Sequence, residues 1–213
     1  EDGYLPEAVL NMLAFLGWNP GTEQEIFTLQ GLVDTFDLSR VSKGGAKFDP
    51  DKSKWFQNQY LQMMDEDVLA AQFQKFLDNK GVSTSLDLGL IVPLLKERAT
   101  FVEDLWEQGG FFFETPTTYD EKAAKKAFKE DTPEILGNIF NILKDLEDFS
   151  ASNISDKVKG WINSEEMGFG PVMMPLRLAL VGEMKGPDVF VIASLLGKDE
   201  TVKRLENAVK FIA

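Results

Sequence analysis

The 213-residue chain is long enough for one or two domains, and for a core that buries roughly 70% of the unfolded surface. Hydrophobic residues make up 44% and charged residues 27%, an ordinary globular composition, and the absence of cysteine and histidine removes disulfides, thiolate nucleophiles, Cys/His zinc sites and every Ser-His or Cys-His catalytic arrangement. The net charge of −13 argues, taken whole, against nucleic-acid binding.

The expected elements are helical throughout. Pro6 and Glu7 open a helix over 6–16 whose positions Val9, Leu10, Leu13 and Leu16 keep helical spacing, and Gly17 ends it. Thr22 and Glu25 form a capping-box pattern that predicts a second helix to about Leu32. Residues 41–51, with two glycines and a proline, read as an irregular basic loop, after which Asp51 is placed to cap a helix through Trp55, Tyr60 and Met64. Asp65 or Asp67 caps the next helix, with Leu69, Phe73 and Leu77 on one side and Gly81 beyond its end.

Helices over 85–97 and 99–108 follow, the second closing at Gly109-Gly110. Phe111-Phe112-Phe113 with Pro116 is a short apolar connector, and a subdomain boundary is expected at Thr115–Thr118. Beyond it come a Lys-rich helix over 119–129, a long helix from Asp131 to about Phe149, and one around Trp161 capped by Ser155. A helix over 171–182 carries Pro175, which should kink it. Pro187 opens another that closes at Gly197, and Asp199 caps a last amphipathic helix using Val202, Leu205, Val209 and Ile212. The fold class expected is all-α, with connections of about 2–8 residues.

Charge is unevenly spread. Residues 1–39 carry seven acids and no base, and residues 99–121 carry six acids and no base. Residues 40–57 carry Arg40, Lys43, Lys47, Lys52 and Lys54 against Asp49 and Asp51. No apolar run reaches 18 residues, so no membrane contact is expected, and the start Glu-Asp-Gly-Tyr has no signal-peptide character. Lacking an initiator Met, the chain is expected to be a fragment of something longer.

Catalytic chemistry finds little support. Gly168-Phe169-Gly170 begins a dinucleotide-like pattern, but position 173 is Met and no strand precedes it. Paired acids such as Glu165-Glu166 and Glu103-Asp104 suit a solvated helix face better than acid/base work. No catalytic residue and no metal ligand set is assigned. Three features look like more than packing. In Val41–Asp49 two lysines, Lys43 and Lys47, flank a Gly-Gly pair, as a partner-binding loop or an ordinary polar turn would have them. Arg98 ends a largely apolar helix, free to reach a partner or merely to snorkel or pair with an acid. Arg177, in Pro175-Leu176-Arg177, is either a binding residue or half of an internal salt bridge.

The same residues carry a resemblance. Residues 3–18, Gly-Tyr-Leu-Pro-Glu-Ala-Val-Leu-Asn-Met-Leu-Ala-Phe-Leu-Gly-Trp, are similar to the segment that follows the Lys-Met-Ser-Lys-Ser-type signature in bacterial glutamyl-tRNA synthetases, a family of class I aminoacyl-tRNA synthetases. Lys47-Phe48-Asp49, Lys52, Trp55 and Tyr60 resemble the family's tRNA-stem-contact pattern, although Ser53 stands where the family usually has Leu and Gln57 where it usually has Asn, with Asn58 beside it. Gly170-Pro171, Pro175-Leu176-Arg177, Gly186-Pro187, Leu195-Leu196-Gly197 and Arg204-Leu205 follow the family's closing blocks in order and spacing.

The resemblance covers the C-terminal half of the family and implies a helical anticodon-binding cage preceded by a stem-contact segment. The implied division is 1–65 for stem contact, 66–118 for a first anticodon-binding subdomain and 119–213 for a second. The implied partners are glutamate tRNA and a missing N-terminal catalytic domain of the same polypeptide, in the cytoplasm. The parent enzyme would be an ATP-dependent glutamate–tRNA ligase using ATP and Mg, while this piece, lacking the catalytic motifs, would bind no cofactor and form no glutamyl-adenylate. Arg98 falls where the family reads the third anticodon base, and Arg177 and Lys159 fall at further anticodon contacts. Val189 falls where an apolar residue packs on an anticodon base, and Lys43 and Lys47 fall in the stem-contact region. The alternative is a helical protein-interaction module without RNA binding, anchored by an exposed Phe111-Phe112-Phe113. A carboxylate-based hydrolase is a more distant second.

Overall fold

The computed structural model describes residues 3–45 and 47–212, and among these it contains twelve α-helices and two short 3-10 turns. No strand forms among the described residues beyond an isolated bridge between Trp18 and Val41. The all-α expectation holds. Contacts divide the chain into two compact units, one of residues up to Gly81 plus Val92–Glu107, the other of Val82–Ile91 plus the residues from Gln108 on.

The first unit contains α1 (Pro6–Phe15), α2 (Leu29–Thr35), α3 (Pro50–Met63) and α4 (Glu66–Lys80), with the last part of α5 (Leu88–Lys96) and most of α6 (Asp104–Gly109). Asp49, not Asp51, caps α3, its carboxylate accepting from the Asp51 and Lys52 amides, and Asp65 caps α4 in the same way. On α4 one face buries Leu69, Phe73 and Leu77 completely, four residues apart, as the sequence spacing required. Trp18, Phe27 and Leu32 form a further core with Ala14 and Phe15.

The second helix starts later than its capping-box pattern suggested. Thr28 caps α2, and residues 22–28 are non-helical. The reason is Asn11, fully buried on α1: its amide donates to the Glu25 carbonyl (2.9 Å), and its carbonyl oxygen accepts from the Phe27 amide (2.8 Å) and the Tyr60 hydroxyl (2.7 Å). Backbone groups tied to Asn11 are lost to an intrahelical ladder.

The second unit contains α7 (Glu121–Ala127), α8 (Thr132–Lys144), α9 (Ala151–Ser164), α10 (Phe169–Val181), α11 (Val189–Leu196) and α12 (Lys198–Ile212). Helix α10 is central, packing on α7, α8, α9, α11 and α12, and it buries Val172, Pro175, Leu176, Leu178, Ala179, Leu180 and Val181. A helix apolar nearly all round belongs in a core. It runs through Pro175 as one element. Helix α8 stops at Lys144 rather than near Phe149, because Asp148 takes the Ser150 amide (2.9 Å) and the Asn153 side chain donates to the Asp148 carbonyl (2.7 Å). Ser150, not Ser155, caps α9, and Asp188 caps α11.

Arg204 of α12, 2% exposed, locks this unit together. Its guanidinium donates to the carbonyls of Phe111 (2.7 Å), Leu180 (2.6 Å) and Glu114 (3.4 Å) and to the Glu200 carboxylate (2.8 Å). Glu200 also receives the Thr115 hydroxyl (2.5 Å) and the Lys203 ammonium (3.0 Å). Burial alone would raise the Glu200 carboxyl, but these three hydrogen bonds and the Arg204 charge outweigh it and hold the carboxyl at about 2.

Candidate functional site

Arg98 follows α5 in a turn at 97–98, its amide reaching back to the Leu95 carbonyl at 3.4 Å. Its side chain is exposed and makes no hydrogen bond or ion pair among the described residues. The turn beneath it is rigidly held. From α3, Gln57 donates to the Thr100 carbonyl (3.1 Å), Asn58 to Ala99 (2.9 Å) and Gln62 to Lys96 (2.7 Å). The Lys96 ammonium returns to the Met64 carbonyl (2.6 Å), and the Asp104 carboxylate takes the amides of Thr100 (2.7 Å) and Phe101 (2.8 Å). A free guanidinium thus stands on a fully hydrogen-bonded turn. Sequence reasoning missed these amides. The available signal was Gln57, Asn58 and Gln62 clustering on one side of a predicted helix, with Gln57 buried completely.

Arg177, Lys159 and Val189 are gathered in the second unit around the 182–188 segment that joins α10 to α11. The Arg177 guanidinium is half-buried and donates to the carbonyls of Lys185 (2.9 Å), Gly186 (3.4 Å) and Pro187 (2.8 Å). Burial lowers its pKa, and the nearby Asp188 carboxylate partly restores it. The internal partner of Arg177 is therefore a set of backbone carbonyls rather than the acid that the salt-bridge alternative required. Gly186 is needed here: its φ is +94°, and an added Cβ would stand 3.0 Å from Phe111 Cζ.

Asp188 caps α11 through the amides of Phe190 (2.8 Å) and Val191 (3.2 Å). The exposed Lys159 on α9 places its ammonium 5.4 Å from the Phe190 ring centroid. Val189 departs from expectation. At 1% exposure it points into the core, and a buried valine presents no face to a base. An exposed apolar side chain of the joining segment is Met184, at 44%. Arg98 belongs to the other unit.

Lys43 and Lys47 are both exposed in the irregular 41–49 stretch, where Ser42 donates its amide to the Gly17 carbonyl (2.6 Å) and accepts from the Gly44 amide (3.2 Å). Ala46, within the same motif, lies outside the described residues. Lys47 borders a small cleft with Phe15, Lys52 and Phe56, in which Lys52 pairs with Glu25. The phenylalanine connector is not an exposed anchor: Phe111 and Phe112 are 6% and 3% exposed, and their rings pack at 4.5 Å. Among the described residues no group of three or more carboxylates could hold a metal ion.

Residues 60–209 match the family model described as an anticodon binding domain, and residues 1–55 match that of class I tRNA synthetases (E and Q), catalytic domain. The chain is 53% identical over 210 residues to a glutamate–tRNA ligase of Christiangramia forsetii and 45% identical over 213 residues to one of Porphyromonas gingivalis. These alignments take in 98% and 100% of the chain but only 42% of either relative, so the chain spans less than half the length of the proteins it matches. A glutamate tRNA ligase from Elizabethkingia meningosepticum, solved with its amino acid, superposes on the whole chain with a TM-score of 0.94 at 42% identity, and 42% of that structure is covered. A glutamate–tRNA synthetase structure from Elizabethkingia anophelis gives 0.89 at 43% identity over 99% of the chain and 41% of that structure.

Proposed function

The chain belongs to the anticodon binding domain family, and from that membership we propose that it binds glutamate tRNA and reads the anticodon loop, as one part of a longer glutamate–tRNA ligase. The observation that carries this reading is Arg98: an exposed, unpaired guanidinium on a turn fixed by three side-chain amides is preorganised to meet a base edge. Proteins read RNA sequence in single-stranded loops, where bases can be splayed out and met on their Watson–Crick edges. Arginine is donor-only, so cytosine meets it with its O2 and N3 acceptors, whereas guanine is larger and brings donors of its own.

Arg177 and Lys159 are assigned to loop contacts, Arg177 chiefly by holding the 185–187 backbone in place and Lys159 by its charge. Val189 supports the same end of the unit from within. Lys43 and Lys47 are assigned to the tRNA stem. Residues 1–65 are assigned by role to stem contact, and 66–118 and 119–213 to two anticodon-facing subdomains.

The activating chemistry, with ATP and Mg, is assigned to a catalytic part of the same polypeptide, working in the cytoplasm. Among the described residues no helix is long and apolar enough to cross a membrane. Helix α1 supports the catalytic partner: Leu10 and Leu13 are 46% and 51% exposed on a helix with hardly a polar side, a face that the remainder of the catalytic fold would cover. The protein-interaction alternative loses its anchor with the burial of Phe111 and Phe112.

The test uses two anticodon stem-loops that differ only in C or G at the third anticodon base, titrated at fixed salt with the chain and with Arg98→Gln. The chain should prefer C by about 1–3 kcal/mol, and the variant, whose amide both donates and accepts, should narrow the gap. Equal binding of both loops by the unaltered chain, or an unchanged gap in the variant, overturns the assignment of Arg98.

A further inference from the structure

We propose that the outward face of α7, with Lys122, Lys125 and Lys126, together with Lys129 just past its end, is a contact surface for the phosphate backbone of the bound RNA, distinct from the residues assigned to base reading. The proposal rests on the RNA-binding function above and adds to it where the backbone is gripped.

The arrangement is two-sided. Ala123 and Ala127 are buried, and α7 packs on α10. Lys125 and Lys126 stand three and four residues after Lys122, Lys129 follows two residues past the end of the helix, and all four are exposed. Small residues on the inner side bring the helix close to the core, and over about 10 Å of helix axis the outer side carries Lys122, Lys125 and Lys126 against the single acid Glu121.

That charge is not held in ion pairs. The chain carries 35 acidic residues against 22 basic, yet none of these lysines forms an ion pair among the described residues. Lys129 instead donates to the Lys125 carbonyl at 2.7 Å, which leaves its charge unneutralised. Like charges at these spacings destabilise a helix. The helix dipole rewards Lys125 and Lys126 in the last turn but not Lys122 near the start. A face that gathers four unpaired cations in an acidic chain suits a polyanion, and lysine meets phosphate as a point charge that carries no sequence information.

The platform is also anchored. The Asp120 carboxylate caps α7 at the Ala123 amide (2.7 Å), and the Asp120 amide donates to the Gly182 carbonyl (2.9 Å). Gly182 begins the segment that Arg177 clamps, so the lysine helix is tied directly to the base-reading end of its own unit. At the other end the Thr132 hydroxyl takes the Lys129 amide (2.8 Å) and donates to the Ala127 carbonyl (3.2 Å). Ordering on binding therefore costs little for the backbone that carries the lysines.

The experiment measures binding of a bacterial glutamate-tRNA transcript across a salt series, for the unaltered chain and for a variant with all four lysines changed to glutamine, which keeps helix propensity. A control changes the scattered Lys75, Lys144, Lys198 and Lys210 to glutamine. Each lost phosphate contact should make the log–log salt slope shallower by about 0.7–0.9, so the variant lacking all four lysines should lose about 3 in slope and at least tenfold in affinity at low salt. Its preference between stem-loops differing at the third anticodon base should not change. An unaltered chain that binds the transcript, with an equal slope in the α7 variant or an equal loss in the control, overturns this proposal alone. An unaltered chain that does not bind the transcript overturns the function it rests on as well. Loss of binding to acidic lipid vesicles with an unchanged RNA slope would assign the patch to membranes and also overturn it.

Discussion

Replacing Arg204 by methionine is expected to cost the second unit about 3–5 kcal/mol, the range for removing one member of a buried charge network. The side chain is 2% exposed, and its loss takes the buried cation from the Glu200 carboxylate and strands the carbonyls of Phe111, Leu180 and Glu114 at once. Each unsatisfied buried acceptor costs about 1–3 kcal/mol by itself, and methionine replaces only the apolar stem. Adding Glu200→Gln should recover part of the loss, because the partly buried carboxylate is then kept only by Lys203 and Thr115 and its removal relieves the desolvation that Arg204 offset, while the carbonyls stay unpaired. Arg204→Lys, with one ammonium in place of a planar fork, should fall between.

Native-state hydrogen exchange, read peptide by peptide by mass spectrometry, separates this effect from the other unit. Protection should fall in α10 and α12 and hold in α3 and α4. The reasoning is refuted if no peptide of the second unit loses more than about 1 kcal/mol of protection, or if α3 and α4 lose as much. Should Arg204→Met not fold, Arg204→Lys carries the same comparison.

The Glu200 carboxyl, held at about 2 against an ordinary 4.5, contributes stability that is full above about pH 5 and is lost as the pH falls toward 2. With its side chain a quarter exposed, that contribution is about 2 kcal/mol, and unfolding midpoints taken across this window should show Glu200→Gln with a flatter acid limb. Arg177→Ala should weaken protection of the 183–190 peptide by about 1–2 kcal/mol, since three carbonyls lose their donor, and should weaken stem-loop binding along with it. Gly186→Ala, at φ +94° and 3.0 Å from Phe111, should lower the thermal midpoint by an amount matching about 1–3 kcal/mol. Gln57→Leu leaves the Leu5 amide and the Thr100 carbonyl without their partner and should cost about 1–3 kcal/mol, while blurring the C-over-G preference assigned to Arg98. The chain alone should show no glutamate-dependent ATP–pyrophosphate exchange, and exchange above background would refute that expectation.

Where structure depends on near neighbours, the amino-acid order was enough. Asp65 and Gly81 bracket α4, and the spacing of Leu69, Phe73 and Leu77 put those residues in the core before any contact was known. Caps and stripes act over three or four residues, so a linear reading captures them. Arg98 and Arg177 also stood out, as charges set in apolar helical surroundings. What they touch did not. Arg177 meets carbonyls eight to ten residues on, in a segment shaped by a glycine at positive φ. The turn under Arg98 is held by side chains 34 to 43 residues before it.

The misplaced elements fail for the same reason. A valid capping pattern at Thr22 lost to Asn11, whose partner Phe27 is 16 residues away. The apolar Val189 and the phenylalanine connector turned inward because packing, not hydrophobicity alone, decides which apolar residues stay at the surface. Arg204 gave no local sign of its role, and its bond to the Phe111 carbonyl spans 93 residues. Helix type and apolar period are written in each stretch of sequence, whereas the pairing of buried polar groups is settled only when distant stretches exclude water together and every donor left inside must find an acceptor.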